Sequence, residues 1–170
     1  ENVRGLYRHD NGKTFKVIHE VLSNMGYSVY HRIVNASHYG LPQHRPRIFI
    51  IGFKDDNLLG GFDFPNHIPL KYNMSDVMEG SCKKEIGFTL RCGGRGSPIG
   101  DRRNWDSYMV DEKVVRLNPT HGLKMQGFPS EFIFPVSDSQ AMKQLGNSVA
   151  VDAIRTCGKA MVDYMFNMTI

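Results

Sequence analysis

Four arginines, Arg91, Arg95, Arg102 and Arg103, fall within thirteen residues that also carry Gly93, Gly94, Gly96 and Gly100. A guanidinium stays charged and offers a rigid fork of donors to phosphates and guanine edges. On a glycine-loaded chain, such groups are suited to reaching into nucleic acid. A second pair, Arg45 and Arg47, alternates at i and i+2 directly before the apolar run Ile48-Phe49-Ile50-Ile51. In a strand that spacing points both side chains to one side. The strand ends of an open α/β sheet are where ligands sit; the plainer alternative is two solvated loop arginines. Three more segments mix charge, amide and glycine: Glu1-Asn2-Val3, Gln126-Gly127-Phe128-Pro129 and Gln144-Leu145-Gly146-Asn147-Ser148-Val149.

The elements that must hold these groups can be read from periodicity. Residues 12–26 carry Phe15, Ile18, Leu22 and Met25 at helical spacing and stop at Gly26. Residues 27–36 are β-branched and aromatic and read as a strand, and 47–53 read as a strand buried on both faces. The loop between them holds two prolines and a glycine. Helix, strand, loop, strand is a piece of an α/β layer. From about 55 to 72 the pattern dissolves. Three short strand candidates follow, at 87–92, 107–111 and 113–117, too short to bury a core alone. A short helix is expected from Asn118 as N-cap with Pro119 first, another from Ser137 or Asp138 to Gly146, and a long one after Asn147. Val151, Ile154, Met161 and Met165 are its expected buried stripe, with Gly158 allowing close approach. The expected division is 1–72, 73–117 and 118–170.

The 170 residues suffice for one domain, or one with a small second. Apolar content of 41% and charged content of 22% fit a globular protein. No apolar run approaches the ~20 residues of a membrane helix. Cys82, Cys92 and Cys157 form no C-x-x-C pair, so neither a zinc site nor a disulfide framework is indicated, and a reducing, cytoplasmic setting is expected. The net charge of +4 and pI near 9.0 favour a polyanionic partner only weakly.

Taken in order, the segments resemble the C-terminal half of bacterial DNA (cytosine-5) methyltransferases of restriction-modification systems, over almost the whole chain. The family's Glu-Asn-Val motif stands at Glu1. Its second motif appears as Asn35-Ala36, Tyr39-Gly40, Pro42-Gln43, Arg45 and Arg47. A third appears at Arg116-Leu117, Pro119 and Gln126 to Pro129, and the last at Gln144 to Val149. The resemblance implies a Rossmann-like, S-adenosyl-L-methionine-dependent α/β sheet with a small β- and loop-rich target-recognition domain at 73–117. It implies double-stranded DNA as partner and methyl transfer to C5 of a flipped cytosine. Cytosine C5 is a poor nucleophile, so a thiolate must add at C6 while N3 receives a proton or a strong hydrogen bond. The resemblance gives that contact to Glu1, the cytosine O2 contact to Arg47, and the neighbouring backbone to Arg45. It gives the cofactor pocket to Asn147, Ser148 and Val149, with Gly146 letting the chain come close to the ligand. DNA contacts fall to Thr89, Arg91, Arg95, Arg102, Arg103 and Gln126. Trp105 reads as packing rather than base stacking, and His38 and His44 as loop polarity.

Two family features are missing from this stretch: the glycine-rich F-x-G-x-G-G cofactor loop, and the Pro-Cys nucleophile, since no cysteine here follows proline. The chain is therefore expected to be a C-terminal piece, inactive alone, completed by an N-terminal half on the same or a separate polypeptide. Where the family often shows Arg-Glu-x-x-Arg this chain has Thr120-His121-Gly122-Leu123-Lys124, so an ion pair fastening the recognition domain to its hinge is not expected from these residues. The alternative function is a DNA-binding or regulatory module without chemistry.

Overall fold

The computed structural model describes residues 1–54 and 61–167. In chain order its elements are β1 (Asn2–Val3), a 3-10 stretch over Arg4–Gly12, α1 (Lys13–Asn24), β2 (Ser28–Asn35) and β3 (Pro46–Phe53). There follow α2 (Met74–Met78), β4 (Ser107–Val110), β5 (Lys113–Arg116), α3 (Pro119–Gln126), α4 (Asp138–Asn147) and α5 (Val151–Asn167). Of the expected irregular crossing at 55–72, residues 55–60 lie outside the described residues.

The chain divides into two compact units. One comprises Glu1–Val34, Pro46–Asn66 and the chain from Arg155 onward; the other comprises Asn35–Arg45 and His67–Ile154. The loop ahead of β3 and helices α3 and α4 thus belong with the arginine-rich segment. The cause is a set of buried side-chain hydrogen bonds from Gln43 and Arg45, which no local pattern announces.

In the first unit the sheet order is β1-β3-β2. The apolar run of β3 buries Ile48 on one face and Phe49, Ile51 and Phe53 on the other, as expected of a doubly covered strand. Each such fully buried side chain contributes about 1.5–3 kcal/mol. β1 covers only the foot of β3, antiparallel, in the register Asn2↔Ile48 and Val3↔Arg47. On α1 Phe15 is buried, Ile18 and Leu22 are half-buried, and Met25 is exposed. The stripe expected on α5 is rotated. Ala153 and Cys157 are the buried positions, whereas Ile154 and Met165 are 38% and 53% exposed. Stacking of Tyr164 on Phe53 and Phe62, with ring centroids 4.9 and 5.6 Å away, sets this register. Gly158 has open space where a methyl would stand, so it permits no close approach.

In the second unit β4 and β5 form an antiparallel hairpin, Ser107 opposite Arg116. Its turn places both Asp111 and Glu112 at positive φ, 45° and 63°, the twist a two-residue hairpin loop requires. The third expected strand, 87–92, does not form. Only a single parallel bridge forms, Gly87 N–H donating to the Pro42 carbonyl and the Gly87 carbonyl accepting from His44 N–H at 2.9 and 2.8 Å; beyond it Phe88 N–H donates to the Tyr108 hydroxyl and Leu90 N–H to Gln43 Oε1. The core beneath is built on Met74, Leu90, Trp105, Leu117, Met125 and Leu145.

Helix α3 starts as expected, with Asn118 as N-cap and Pro119 at the first position. His121 completes a capping box: Nδ1 accepts from Asn118 N–H at 3.3 Å, and Asn118 Oδ1 accepts from His121 N–H at 2.9 Å. Burial, then Lys124, lowers the His121 pKa below its ordinary 6.5, against an opposing influence of Glu79. Protonation therefore favours the unfolded chain. The contribution of His121 is complete above about pH 6.5 and is lost as pH falls through the lowered folded value. Thermal unfolding followed by circular dichroism from pH 7.5 to 5 is expected to show Tm falling below pH 6.5. His121→Gln keeps a capping partner without titrating and is expected to reduce that slope.

Candidate active site and nucleic-acid interface

In the first unit, β1 brings Glu1 to the foot of β3. Glu1 Oε1 lies 3.3 Å from Arg47 Nε, and the two side chains are 17% and 15% exposed. Arg47 Nη1 donates to the Pro46 carbonyl at 3.0 Å. Burial lowers the Arg47 pKa from its ordinary value while the Glu1 charge raises it. It remains a cation, because an arginine does not lose its proton in a protein. A carboxyl group and a guanidinium this close, and largely screened from water, present donor and acceptor atoms to a small planar polar group.

In the second unit a buried polar network ties four segments together. Gln43 and Gln126 are both fully buried. Gln43 Nε2 donates to the Met125 carbonyl and to Gln126 Oε1 at 3.1 and 3.2 Å, and its Oε1 accepts from Leu90 N–H at 3.0 Å. Gln126 Nε2 donates to the Leu145 carbonyl and the Ser148 hydroxyl at 2.7 and 3.1 Å. Arg45, 3% exposed, donates to the carbonyls of Leu90, Gly146 and Ser148 at 3.1, 3.0 and 2.5 Å. Its own backbone N–H is held by Asn35 Oδ1 at 2.8 Å. Arg45 thus holds backbone on two different segments, at Leu90 and at the end of α4.

The expected DNA contacts divide into two groups. Arg91 and Arg102 are exposed, and no ion pair holds either among the described residues. Arg103 is exposed but paired with Asp101 at 2.7 Å, and this bond, with a further one from the Arg103 backbone, pulls the Asp101 carboxyl down to about 2. Arg95 is exposed as a residue, but its guanidinium is engaged: Nη2 donates to the Leu117 carbonyl at 2.6 Å and Nε faces Asp106, which is fully buried and also 3.4 Å from Arg116. Gln126, expected at DNA, has its amide wholly engaged inside the protein. Both residues thus have partners within the protein; a buried acid and a row of orphan carbonyls attract the same residue types as DNA does. The Thr89 hydroxyl donates to the His44 carbonyl. Trp105 is buried, as expected, its indole N–H shared between the carbonyls of Gly93 and Gly94 at 3.1 Å each.

Asn147 is exposed, and Ser148 and Val149 are half-buried. The Ser148 hydroxyl donates to Leu145 and accepts from Gln126, so it serves the network. Gly146, expected to end α4, lies inside it and abuts the Arg91–Cys92 backbone. The buried Cys157 thiol is pushed up to about 11 by burial, the wrong direction for a nucleophile. In place of the missing Arg-Glu pair, Lys124 meets Glu79 at 2.5 Å.

Sequence reasoning missed Gln43 and Asp106 as organising groups. It also missed Lys83 and Lys84, exposed beside a cavity of about 180 Å³ that Phe88 and Tyr108 line. The adjacent lysines were a visible signal. The hydrogen bonding of Gln43 was not.

A family model described as C-5 cytosine-specific DNA methylase matches residues 1–92 and 95–163. The chain belongs to the C-5 cytosine-specific DNA methylase family. It is 34% identical over 199 residues to the Type II methyltransferase M.DsaV of Dactylococcopsis salina, a match covering 97% of this chain and 56% of that protein. It is 31% identical over 216 residues to M.HpaII of Haemophilus parainfluenzae, covering 99% and 60%. The chain spans somewhat over half the length of these curated relatives. Among solved structures, a DNMT2 variant of Spodoptera frugiperda aligns with TM-score 0.69 at 14% identity, over 95% of this chain and 65% of that one. The S. pombe Dnmt2 methyltransferase aligns with TM-score 0.64 at 14% identity, over 98% and 65%. The fold is therefore the α/β fold of these methyltransferases, and the C-5 cytosine methylase motifs lie where the Glu1–Arg47 pair and the Gln43–Gln126 network stand.

Gln126→Leu leaves backbone and amide partners of the network unmet. It is expected to cost about 2–3 kcal/mol, lowering Tm by roughly 5–10 °C. Arg102→Ala is expected to leave Tm within about 1 °C. Thermal melts of the two variants make the comparison.

Proposed function

We propose that the chain is the C-terminal part of a DNA (cytosine-5-)-methyltransferase, which transfers a methyl group from S-adenosyl-L-methionine to C5 of a flipped cytosine in a specific duplex sequence. The observation that carries this reading is the Glu1–Arg47 pair, 3.3 Å apart and largely covered. Glu1 grips N3 and the exocyclic amine of the base. Arg47, whose Nη2 is left as a donor, meets O2, where negative charge builds during attack at C6. Arg45 acts one step back, fixing the loop that precedes β3.

When bound, S-adenosyl-L-methionine supplies the methyl group. The exposed amide of Asn147 and the half-buried Val149 suit its methionine portion; Ser148 supports them through the network. Arg91 and Arg102, exposed and outside any ion pair among the described residues, are the arginines that suit duplex contact, and Arg103 follows once it leaves Asp101.

A complementary N-terminal half carries the nucleophile and the glycine-rich cofactor loop. The surface of the first unit supports such a partner. Val17, Val21 and Met25, at i, i+4 and i+8 of α1, are 57%, 52% and 56% exposed, and Val162, Met165 and Phe166 of α5 are exposed as well. Solvent-facing apolar stripes on two helices are surfaces that another chain segment covers.

Mixing the chain with that half, labelled S-adenosyl-L-methionine and duplex DNA is expected to give labelled DNA. Glu1→Gln is expected to lower the rate by about 10²–10³-fold with duplex affinity retained. Arg91→Ala and Arg102→Ala are each expected to reduce the log–log salt slope of binding by about 0.9. Duplex binding without any methyl transfer favours the non-catalytic binding module instead.

A further inference from the structure

Gly146 stands in the last turn of α4, one residue before its end. A methyl group built there would stand 2.3 Å from the Arg91 carbonyl carbon, 2.4 Å from Cys92 N and 2.5 Å from the Arg91 oxygen. These are backbone atoms and cannot rotate out of the way as a side chain can. The same stretch is gripped a residue earlier: Leu90 N–H by Gln43 Oε1 at 3.0 Å and the Leu90 carbonyl by Arg45 at 3.1 Å. Arg45 also holds the Gly146 carbonyl at 3.0 Å, so one guanidinium bridges the helix and the strand-like segment lying on it. Immediately downstream, the Gly93 and Gly94 carbonyls accept from the Trp105 indole.

We infer that Gly146 is a positioning residue for target recognition: its missing side chain seats the Leu90–Cys92 backbone against α4 and thereby fixes where Arg91 and the glycine-rich loop after it meet the duplex. The role in recognition rests on the methyltransferase reading above; the seating itself does not. Ligand approach is not what demands a glycine here, because the space a side chain would fill is already taken by protein.

Trp105 is the only tryptophan in the chain, which makes the seat directly readable. Gly146→Ala, made in the chain joined by its complementary half, is expected to red-shift Trp105 emission and to raise its quenching by acrylamide at least twofold. Trypsin cleavage at Arg91 is expected to quicken. Discrimination between preferred and non-preferred duplexes is expected to fall tenfold or more, while the Kd for S-adenosyl-L-methionine stays within about twofold. Arg45→Lys adds no bulk but cannot span Leu90 and Gly146; it is expected to give the same Trp105 signature and serves if the alanine variant does not fold. Gly158→Ala, in open space, is the control and is expected to change none of these. Unchanged Trp105 emission and duplex preference, with a tenfold weaker cofactor Kd, would overturn the inference. If the unaltered chain with its complementary half binds no duplex, the methyltransferase reading fails, while the Trp105 response still decides the seating.

Discussion

The second unit depends on one feature: two fully buried glutamines bonded to each other, with a buried arginine beside them. An amide sequestered from water costs several kcal/mol unless each donor and acceptor is met, and here the partners come from four separated stretches of chain. Loop, recognition segment, end of α3 and end of α4 must all arrive for any to be satisfied. That makes the network cooperative. It also accounts for the division of the molecule, in which the loop ahead of β3 leaves its own strand's unit to join the helices it bonds.

The Glu1–Arg47 pair rests on different physics. Two opposite charges near each other in partial burial gain attraction but lose hydration, and the balance is close. What holds them in register is a two-residue strand on the edge of β3. Their geometry is therefore only as firm as that short antiparallel pairing.

Much of the fold was legible because its signals are local. The doubly buried β3, the Asn118–Pro119 helix start and the β4–β5 hairpin each follow from a few adjacent residues. The misses share a cause. An arginine in a glycine-rich loop has the same local signature whether it faces DNA or a buried acid, and Asp106 stands eleven residues from Arg95. Gln126 finds Leu145 nineteen residues on. The segment 87–92 reads as a strand but pairs with backbone only at Gly87, and side chains meet Phe88 and Leu90. On α5 apolar residues occur around much of the circumference, so periodicity could not choose the face; the ring of Tyr164 did. The Glu1 motif was placed by resemblance, and the pairing register then gave it a neighbour.

The loop from Gly96 to Asn104 is closed at its base by two independent ties, Arg95 to Asp106 and Trp105 to the carbonyls of Gly93 and Gly94. Its ends are pinned a short distance apart whatever lies between them, in the manner of an Ω-loop. Lengthening or rewriting the enclosed residues costs little closure entropy, since each doubling of length adds only about 0.6 kcal/mol. The molecule thereby carries an exchangeable cassette, one whose contents can change while the ties that mount it stay as they are.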